Sequence, residues 1–430
     1  MFKIKDFGPI KEAEIEIGKI NVIAGVNGSG KSTASKILYS FLVSLTNQGN
    51  YYHNNLIDDI IGDILRFQLD GHVKKDNPNI DYSKDLFLKF NKVRDKILDN
   101  TSDVNEVDEL LEYLKNNEYM ETSRNFKQLI EDLEYNLSIM KNSNKRKSFI
   151  FENIISNEFR YDILHNDKTL LSLLNEGRGF SVENQQNNLS SNYNEIDFPV
   201  LEVFYIETPF IFDIFQSFNW TLSDRNYLKE TGGTLYHQKS LFKKLGNDKK
   251  FITYNRQNNE NKHPSLDILQ KIMSGKLIYD NKKEEFFYRL PEKDNYIQNT
   301  ATGIKAIGIL HRLLYNGLDT NSFIIMDEPE VHLHPSWQLK LAEAIVLLSK
   351  QENITFYINS HSPHFIEAIE VYSQYYGIGG ETNFYLTEQD NGKFSYKKVP
   401  RKNLKKIYRN LGDPYNVIDE IRGFNLANEL

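Results

Sequence analysis

The chain has 430 residues, a formal net charge of −7 and no cysteine. That length allows roughly two or three domains with real cores, and the charge argues against wholesale coating of nucleic acid but not against a local basic site. The missing thiols exclude a disulfide framework, a thiolate metal site and a cysteine nucleophile.

In chain order, residues 1–45 read as short strands leading into a glycine-rich turn and a helix. Phe7-Gly8-Pro9-Ile10 is a turn between the first two strands, and Ala13, Ile15 and Ile17 alternate as a half-buried strand should. Ile20–Ala24 is a buried-strand run, and Ile37, Leu38, Phe41, Leu42 and Leu45 recur at helical spacing. Between them, Gly25-Val26-Asn27-Gly28-Ser29-Gly30-Lys31-Ser32 fits the phosphate-loop pattern G-x-x-x-x-G-K-[ST] in the strand–loop–helix context it requires. The glycines let successive backbone N–H groups point into one concavity, and the helix N-terminus adds its dipole. Asn27, Gly28, Ser29, Gly30, Lys31, Ser32 and Thr33 are therefore the expected nucleotide contacts. Lys31 is expected on the β/γ-phosphates and Ser32 on Mg²⁺.

Residues 46–197 change character. The stretches 103–117 and 125–142 place apolar residues three and four apart, as helices do, and 175–195 reads as a loop from its Asn, Ser and Gly content. This interval is expected to be a mostly helical insertion, a compact lobe suited to docking a partner or serving as scaffold. A head made of 1–45 and 198–430 surrounds it. Residues 198–206 form a strand that ends at Glu207-Thr208-Pro209, 210–295 are mixed, and 322–330 form a buried strand that ends in acids. A further strand in 353–365 ends near His361.

The carboxyl ends of strands are where α/β sheets hold ligands. Asp327 is the expected holder of the Mg²⁺ water shell, and Glu328 the carboxylate that polarises the water attacking a γ-phosphate. His361, at the end of the next strand, can donate a hydrogen bond to that phosphate or its water. His332, His334, His361 and His364 also invite a transition-metal reading, but a nucleotide site already accounts for their clustering. In the tail, 393–409 carries eight Lys or Arg and no acid. Lys402, Lys405, Lys406 and Arg409 fall on one helical face, opposite Leu404, Ile407, Tyr408 and Leu411. That face suits phosphate backbones or an acidic partner, or is simply a solvated helix surface.

The order of phosphate loop, Asp-Glu strand and Ser-His strand resembles AAA-family, ABC-type ATPases of the SMC/RecF/OLD-like branch. More narrowly, it is similar to the ATPases of bacterial anti-phage systems of the Septu and retron-associated kind. The residues that carry the likeness are FGPI, NVIAGVNGSGKST, NTATGIKAIGIL, MDEPEVHLHPSWQLKLAEAI and NSHSPHFIEAIE, covering roughly 1–45 and 198–390. The resemblance implies an α/β fold, a P-loop ATPase head with a mixed sheet flanked by helices. It implies ATP and Mg²⁺ as cofactors and a homodimer or higher homo-oligomer that shares ATP across its interface. It also implies a partner effector, a nuclease, gated by the ATP state. Residues 299–305 take the place of the ABC signature, with Thr302 and Gly303 as the contacts, although Leu-Ser-Gly-Gly-Gln has become Thr-Ala-Thr-Gly-Ile. Residues 330–335 fill the D-loop place, where subunits touch, and Glu207 the Q-loop place, as a metal-water ligand or an ordinary loop acid. No Toprim-like acidic constellation follows His361, so a built-in nuclease is not expected. Competing readings are a RecF- or SMC-like DNA-repair ATPase without an effector, a nucleotide-locked scaffold and a P-loop kinase. No apolar run reaches membrane-spanning length, and the first six residues lack a signal-peptide core, so a cytoplasmic location without membrane contact is expected.

Overall fold

The computed structural model describes residues 1–46, parts of 108–116, 124–159, 169–194, 199–213, 235–246 and 264–411, a few single positions within these excepted. The chain divides into two compact units, 1–46 with 154–430, and 47–153. In the second unit, helix α2 (Arg124–Lys141) and the first part of helix α3 (Ser143–Glu158) bury Leu133, Ile139, Ile150 and Phe151. The helix expected over 125–142 is α2; the one expected over 103–117 lies largely outside the described residues.

The first unit is built on an eleven-stranded mixed sheet. Strands β1 (Phe2–Phe7), β2 (Ile10–Ile15) and β3 (Ile20–Ala24) lead to α1 (Lys31–Leu45). Later come β4 (Leu170–Asn175), β5 (Arg178–Gln185), β6 (Asn188–Tyr193) and β7 (Val203–Ile206). Strands β8 (Lys276–Asp280), β9 (Glu285–Arg289) and β10 (Asp294–Tyr296) form a separate three-stranded sheet. The large sheet is completed by β11 (Phe323–Asp327), β12 (Thr355–Ser360), β13 (Thr382–Asp390) and β14 (Lys393–Lys398). Its order is β6-β5-β4-β1-β2-β14-β13-β3-β12-β11-β7.

Strands β13, β3, β12, β11 and β7 are mutually parallel. Their residues alternate between two covered faces. Ile20, Val22 and Ala24 join Phe204, Ile206, Ile324, Met326, Phe356 and Ile358 in one core. That core also takes in α4 (Tyr236–Leu245), α5 (Pro264–Met273), α6 (Thr302–Tyr315), α7 (Pro335–Gln351) and α8 (Pro363–Tyr375). The opposite face belongs to α1: Ser35 bonds Asp327, and the Phe41 ring meets Phe2 and Phe180 edge-on. No described helix is long and apolar enough to cross a membrane.

One expectation needs correction: within 175–195, the described residues form strands rather than a loop. β4 pairs with β1 through Phe2↔Leu173 and Ile4↔Leu171, and β5 and β6 continue the same sheet. The physical reason is a tight hairpin. Glu176 and Gly177 both have positive φ (50° and 77°) and join the Asn175↔Arg178 pair, the two-residue geometry that matches strand twist. Leu171, Leu173, Phe180 and Val182 bury one face, while Asn and Ser on the other gave the segment its loop-like composition.

Candidate nucleotide site

All the parallel strands deliver their carboxyl ends to one edge, and the expected residues meet there. β3 opens into the loop 25–30, in which Gly28 (φ 78°) and Gly30 (φ 85°) take left-handed conformations. At Gly30 an added Cβ would also strike Ile10 at 2.7 Å, so the loop depends on glycine twice over. Helix α1 has no side-chain cap at Gly30, and its first backbone bond runs from Ala34 N–H to the Gly30 carbonyl. The N–H groups of Lys31, Ser32 and Thr33 therefore have no helical acceptor and are free to serve an anion. Lys31, only 6% exposed, donates to the carbonyls of Gly25 and Val26 at 2.9 Å each. Burial lowers its pKa, against the raising influence of Glu328, Asp327 and Glu330. These groups fit a polyphosphate: an uncapped helix start, an open loop and a desolvated cation facing a cluster of acids.

Asp327 ends β11, half-buried. Its Oδ2 accepts from the Tyr205 hydroxyl at 2.7 Å, and its Oδ1 from Ser35 Oγ at 3.1 Å and from the Asn359 amide. Ser32 also donates to it. Burial leaves its pKa raised, against the lowering effect of these donors. Every donor is neutral, so the carboxylate is oriented without being neutralised. With Ser32, such a group fits a hard divalent cation that keeps its waters.

Glu328 follows with φ 47°, a left-handed conformation unusual for this residue type, and donates its N–H to the Asn359 carbonyl at 2.9 Å. The turn aims its side chain at His361, whose Nδ1 lies 3.1 Å from Glu328 Oε1; both side chains are partly exposed. The two residues expected to act on the attacking water are thus in contact.

Gly303 and Thr302 stand at the start of α6, two positions earlier than the expected helix onset near Ile304. Gly303 is buried, and an added Cβ would lie 2.8 Å from the His332 carbonyl. Close packing against the 330–335 loop is therefore one reason for that glycine. Lys305 is also buried and pairs with Asp213 at 2.6 Å. Of the remaining histidines, His334 caps α7 through Ser336, His332 packs near Phe210 and His364 is exposed on α8. Among the described residues, no group of three or more His, Asp or Glu is arranged to hold a metal ion.

Glu207 sits one residue past β7. Its oxygens face Lys36 Nζ at 3.5 Å and His237 Nε2 at 3.3 Å. The His237 contact, with Lys36 behind it, lowers the Glu207 pKa to about 2 against the opposing effect of burial. His237 is 1% exposed, and its Nδ1 meets Glu158 Oε2 at 2.7 Å. Burial pulls the His237 pKa down, but the two flanking carboxylates leave it raised. For Glu207 to hold a metal's water, Lys36 or His237 must release an oxygen.

Several partners were not found from the sequence: Ser35, Tyr205, Asn359, Glu330, His237 and Glu158. Ser35 had a signal, since it lies three residues after Ser32 on one helix face. Asn359 had none, because its role comes from the Asp327↔Asn359 register.

The AAA ATPase domain model matches residues 1–366. Among solved structures, the SMC head domain from Thermotoga maritima shares 10% identity, with 93% of this chain and 98% of that one covered, at a TM-score of 0.38. An SMC head bound to the C-terminal winged-helix domain of ScpA shares 13% identity over 94% and 98%, at 0.42. The Pyrococcus furiosus Smc head with an extended coiled coil, bound to the C-terminal domain of ScpA, shares 13% over 98% and 98%, at 0.33. With the phosphate loop and the acidic strand end in place, this chain belongs to the AAA ATPase domain family.

Proposed function

We propose that the protein binds and hydrolyses ATP with Mg²⁺, dimerises around the nucleotide and uses the ATP state to regulate a partner effector, a nuclease, in anti-phage defence. The observation that carries the hydrolytic part is the contact of Glu328 with His361 at 3.1 Å, beside an Asp327 held by neutral donors. In this reading the free N–H groups at the start of α1 and Lys31 bind the phosphates. Ser32 and Asp327 hold Mg²⁺, which when bound supplies positive charge to the phosphate oxygens. Glu328 accepts the proton of the attacking water, and His361 keeps the Glu328 side chain turned toward it and donates to the γ-phosphate. Thr302 and Gly303 would meet the ATP of the opposite subunit. The effector and the defence role rest on the sequence resemblance. A RecF- or SMC-like DNA-binding role without an effector is the second reading. It is favoured by Lys402, Lys405 and Arg409, which are exposed or partly exposed and form no ion pair among the described residues.

Two variants test this together. Lys31→Ala should abolish ATP binding by calorimetry; unchanged affinity would end the phosphate-loop assignment. Glu328→Gln should bind ATP, stop hydrolysis and become more dimeric with ATP-Mg²⁺, because a ligand bound at an interface stabilises it by mass action. Light scattering after size exclusion reads the mass, with Lys31→Ala as the control that cannot respond. A silent Glu328→Gln whose mass ignores ATP would remove the shared-nucleotide dimer.

A further inference from the structure

Glu330 lies in the stretch that the resemblance assigns to subunit contact, yet its side chain turns inward and is 2% exposed. One oxygen, Oε1, accepts from three donors of a single turn: Ser360 Oγ at 2.6 Å, His361 N–H at 3.2 Å and Ser362 N–H at 3.3 Å. The other, Oε2, is buried with no hydrogen-bond partner among the described residues. A buried carboxyl is costly unless its bonds are good ones, and here, its own backbone N–H aside, they come from the turn that carries His361.

The topology explains what this contact does. The β11/β12 pairing ends at Asp327↔Asn359, and only one backbone bond, Glu328 N–H to Asn359 O, continues beyond it. Past that point β11 leaves the sheet through the left-handed Glu328, while β12 stays paired with β3 for one more residue, Ser360↔Ala24, before His361 enters the cap of α8. Beyond that single bond, the β11/β12 ladder does not reach His361. Glu330 closes that gap from the β11 side. Its own loop is pinned in turn, because Gln338 Nε2 donates to the carbonyls of Glu330 (3.3 Å) and Leu333 (3.2 Å) while Gln338 Oε1 accepts from Ser362 Oγ at 3.2 Å. Ser362 also caps α8 through Phe365 N–H.

We infer that Glu330 is a positioning residue for hydrolysis: it ties the turn 360–362 to the end of β11 and thereby sets His361 against Glu328. The inference rests on the hydrolytic reading of Glu328 and His361. Glu330 touches neither nucleotide nor water in it and acts only through His361.

The test is steady-state ATPase at saturating ATP-Mg²⁺, with ATP affinity measured by calorimetry, for Glu330→Ala, Glu330→Gln, His361→Ala and the Glu330→Ala/His361→Ala double variant. Glu330→Ala should lower kcat at least tenfold and leave ATP affinity within threefold. Glu330→Gln keeps an acceptor for the three donors and should restore kcat to within threefold of the parent. The double variant should be no slower than His361→Ala alone, within twofold, since the two act as one unit. Multiplicative losses in the double variant, or a Glu330→Ala enzyme at the parental kcat, would overturn the inference. If Glu330→Ala does not fold, Ser360→Ala removes the shortest of the three bonds from the other side. It should lower kcat twofold to fivefold in the parent and not at all in His361→Ala, and an unchanged kcat in the parent overturns the inference too. Glu328→Gln separates the two failures. If it still hydrolyses ATP, the reading of the site falls and the inference with it. If it is silent and His361→Ala is slow, an additive double variant sinks the inference alone.

Discussion

Two neighbouring strand ends in this sheet carry acids and treat them in opposite ways. β11 and β7 are paired in parallel with Met326 opposite Ile206, so Asp327 and Glu207 stand at equivalent positions one step further on. Asp327 is held by a tyrosine, a serine and an asparagine, all neutral, and burial raises its pKa. Glu207 faces Lys36 and His237, and its pKa falls to about 2. The first strand end orients its carboxyl group with neutral donors alone, with no cation paired to it among the described residues. The second consumes its charge internally, linking α1, α4 and the last turn of α3, where Glu158 completes the set. Position in a fold does not decide whether a carboxylate serves chemistry or structure; the charge of its neighbours does.

The largest expected effect breaks or keeps that contrast directly. Asp327→Asn should cut ATPase activity roughly a thousandfold, about 4 kcal/mol of barrier. Glu207→Gln should stay within a few-fold of the parent at saturating Mg²⁺. Equal losses in the two variants, with a raised Mg²⁺ requirement for Glu207→Gln, would give Glu207 the metal-water role and dissolve the comparison. His237→Ala should instead act on stability. It leaves Glu158, 3% exposed, without the imidazole partner that lies 2.7 Å from its Oε2, and a buried carboxyl that loses its hydrogen-bond partner costs about 1–3 kcal/mol. Urea denaturation at neutral pH measures the loss; a variant as stable as the parent would mean that the cluster carries no net energy.

How much of this the sequence displayed depends on what buries each segment. The parallel strands are covered on both faces, so they read as apolar runs, and the residues after them could be assigned roles without a structure. That is why Lys31, Asp327, Glu328 and His361 could be expected at one strand edge, where the structure places them, and why the α1 periodicity was legible. β5 and β6 bury one face only and fill the other with Asn and Ser, so composition pointed to a loop and hid the Glu176-Gly177 hairpin. The inward contacts of Glu330 were hidden for a different reason. The resemblance gave its stretch only a place between subunits, and only the path of the turn brings its side chain to the His361 N–H. The Glu207–His237–Glu158 set joins residues up to 79 positions apart, beyond any periodicity.

A second histidine sharpens the contrast by serving as its control. His311 is buried like His237 but has no acid beside it. Burial, with Arg312 nearby, brings its pKa down from 6.5 to about 4. Between those values the unfolded chain binds a proton that the folded chain refuses, so stability rises with pH through this window and is lost as pH falls. At pH 5 the cost is about 2 kcal/mol relative to pH 7. His311→Phe, which can still stack on Tyr315, should lose that much less stability than the parent over the same interval, measured by urea denaturation at both pH values. His237 has the opposite sign. Its pKa is raised, so its contribution is full below its unfolded pKa and fades as pH rises through the folded one. A parent and a His311→Phe variant that acidify in parallel would show that His311 is not buried neutral.

The smallest effects carry the same distinction, consumed charge against available charge, to the surface. Residues 405–411 are helical, and Leu404 and Ile407 are buried in the core as the amphipathic pattern anticipates. On the other side, Lys406 is paired with Glu388, whereas Lys402, Lys405 and Arg409 form no ion pair among the described residues. If this face meets a phosphate backbone, each unpaired cation releases about one counterion on binding and adds about one unit to the salt slope. Lys406 must first give up Glu388, so its net contribution is smaller. Lys405→Ala should therefore lower nucleic-acid affinity and flatten the salt slope by about 1, while Lys406→Ala changes both by less. Fluorescence anisotropy with a short duplex at several salt concentrations reads the difference. If Lys405→Ala and Lys406→Ala behave alike but both weaken binding, pairing with Glu388 is irrelevant to the contact. If the quadruple Ala variant of Lys402, Lys405, Lys406 and Arg409 binds as the parent does at every salt concentration, the face is a solvated helix surface, and the DNA-binding reading loses the residues that favoured it.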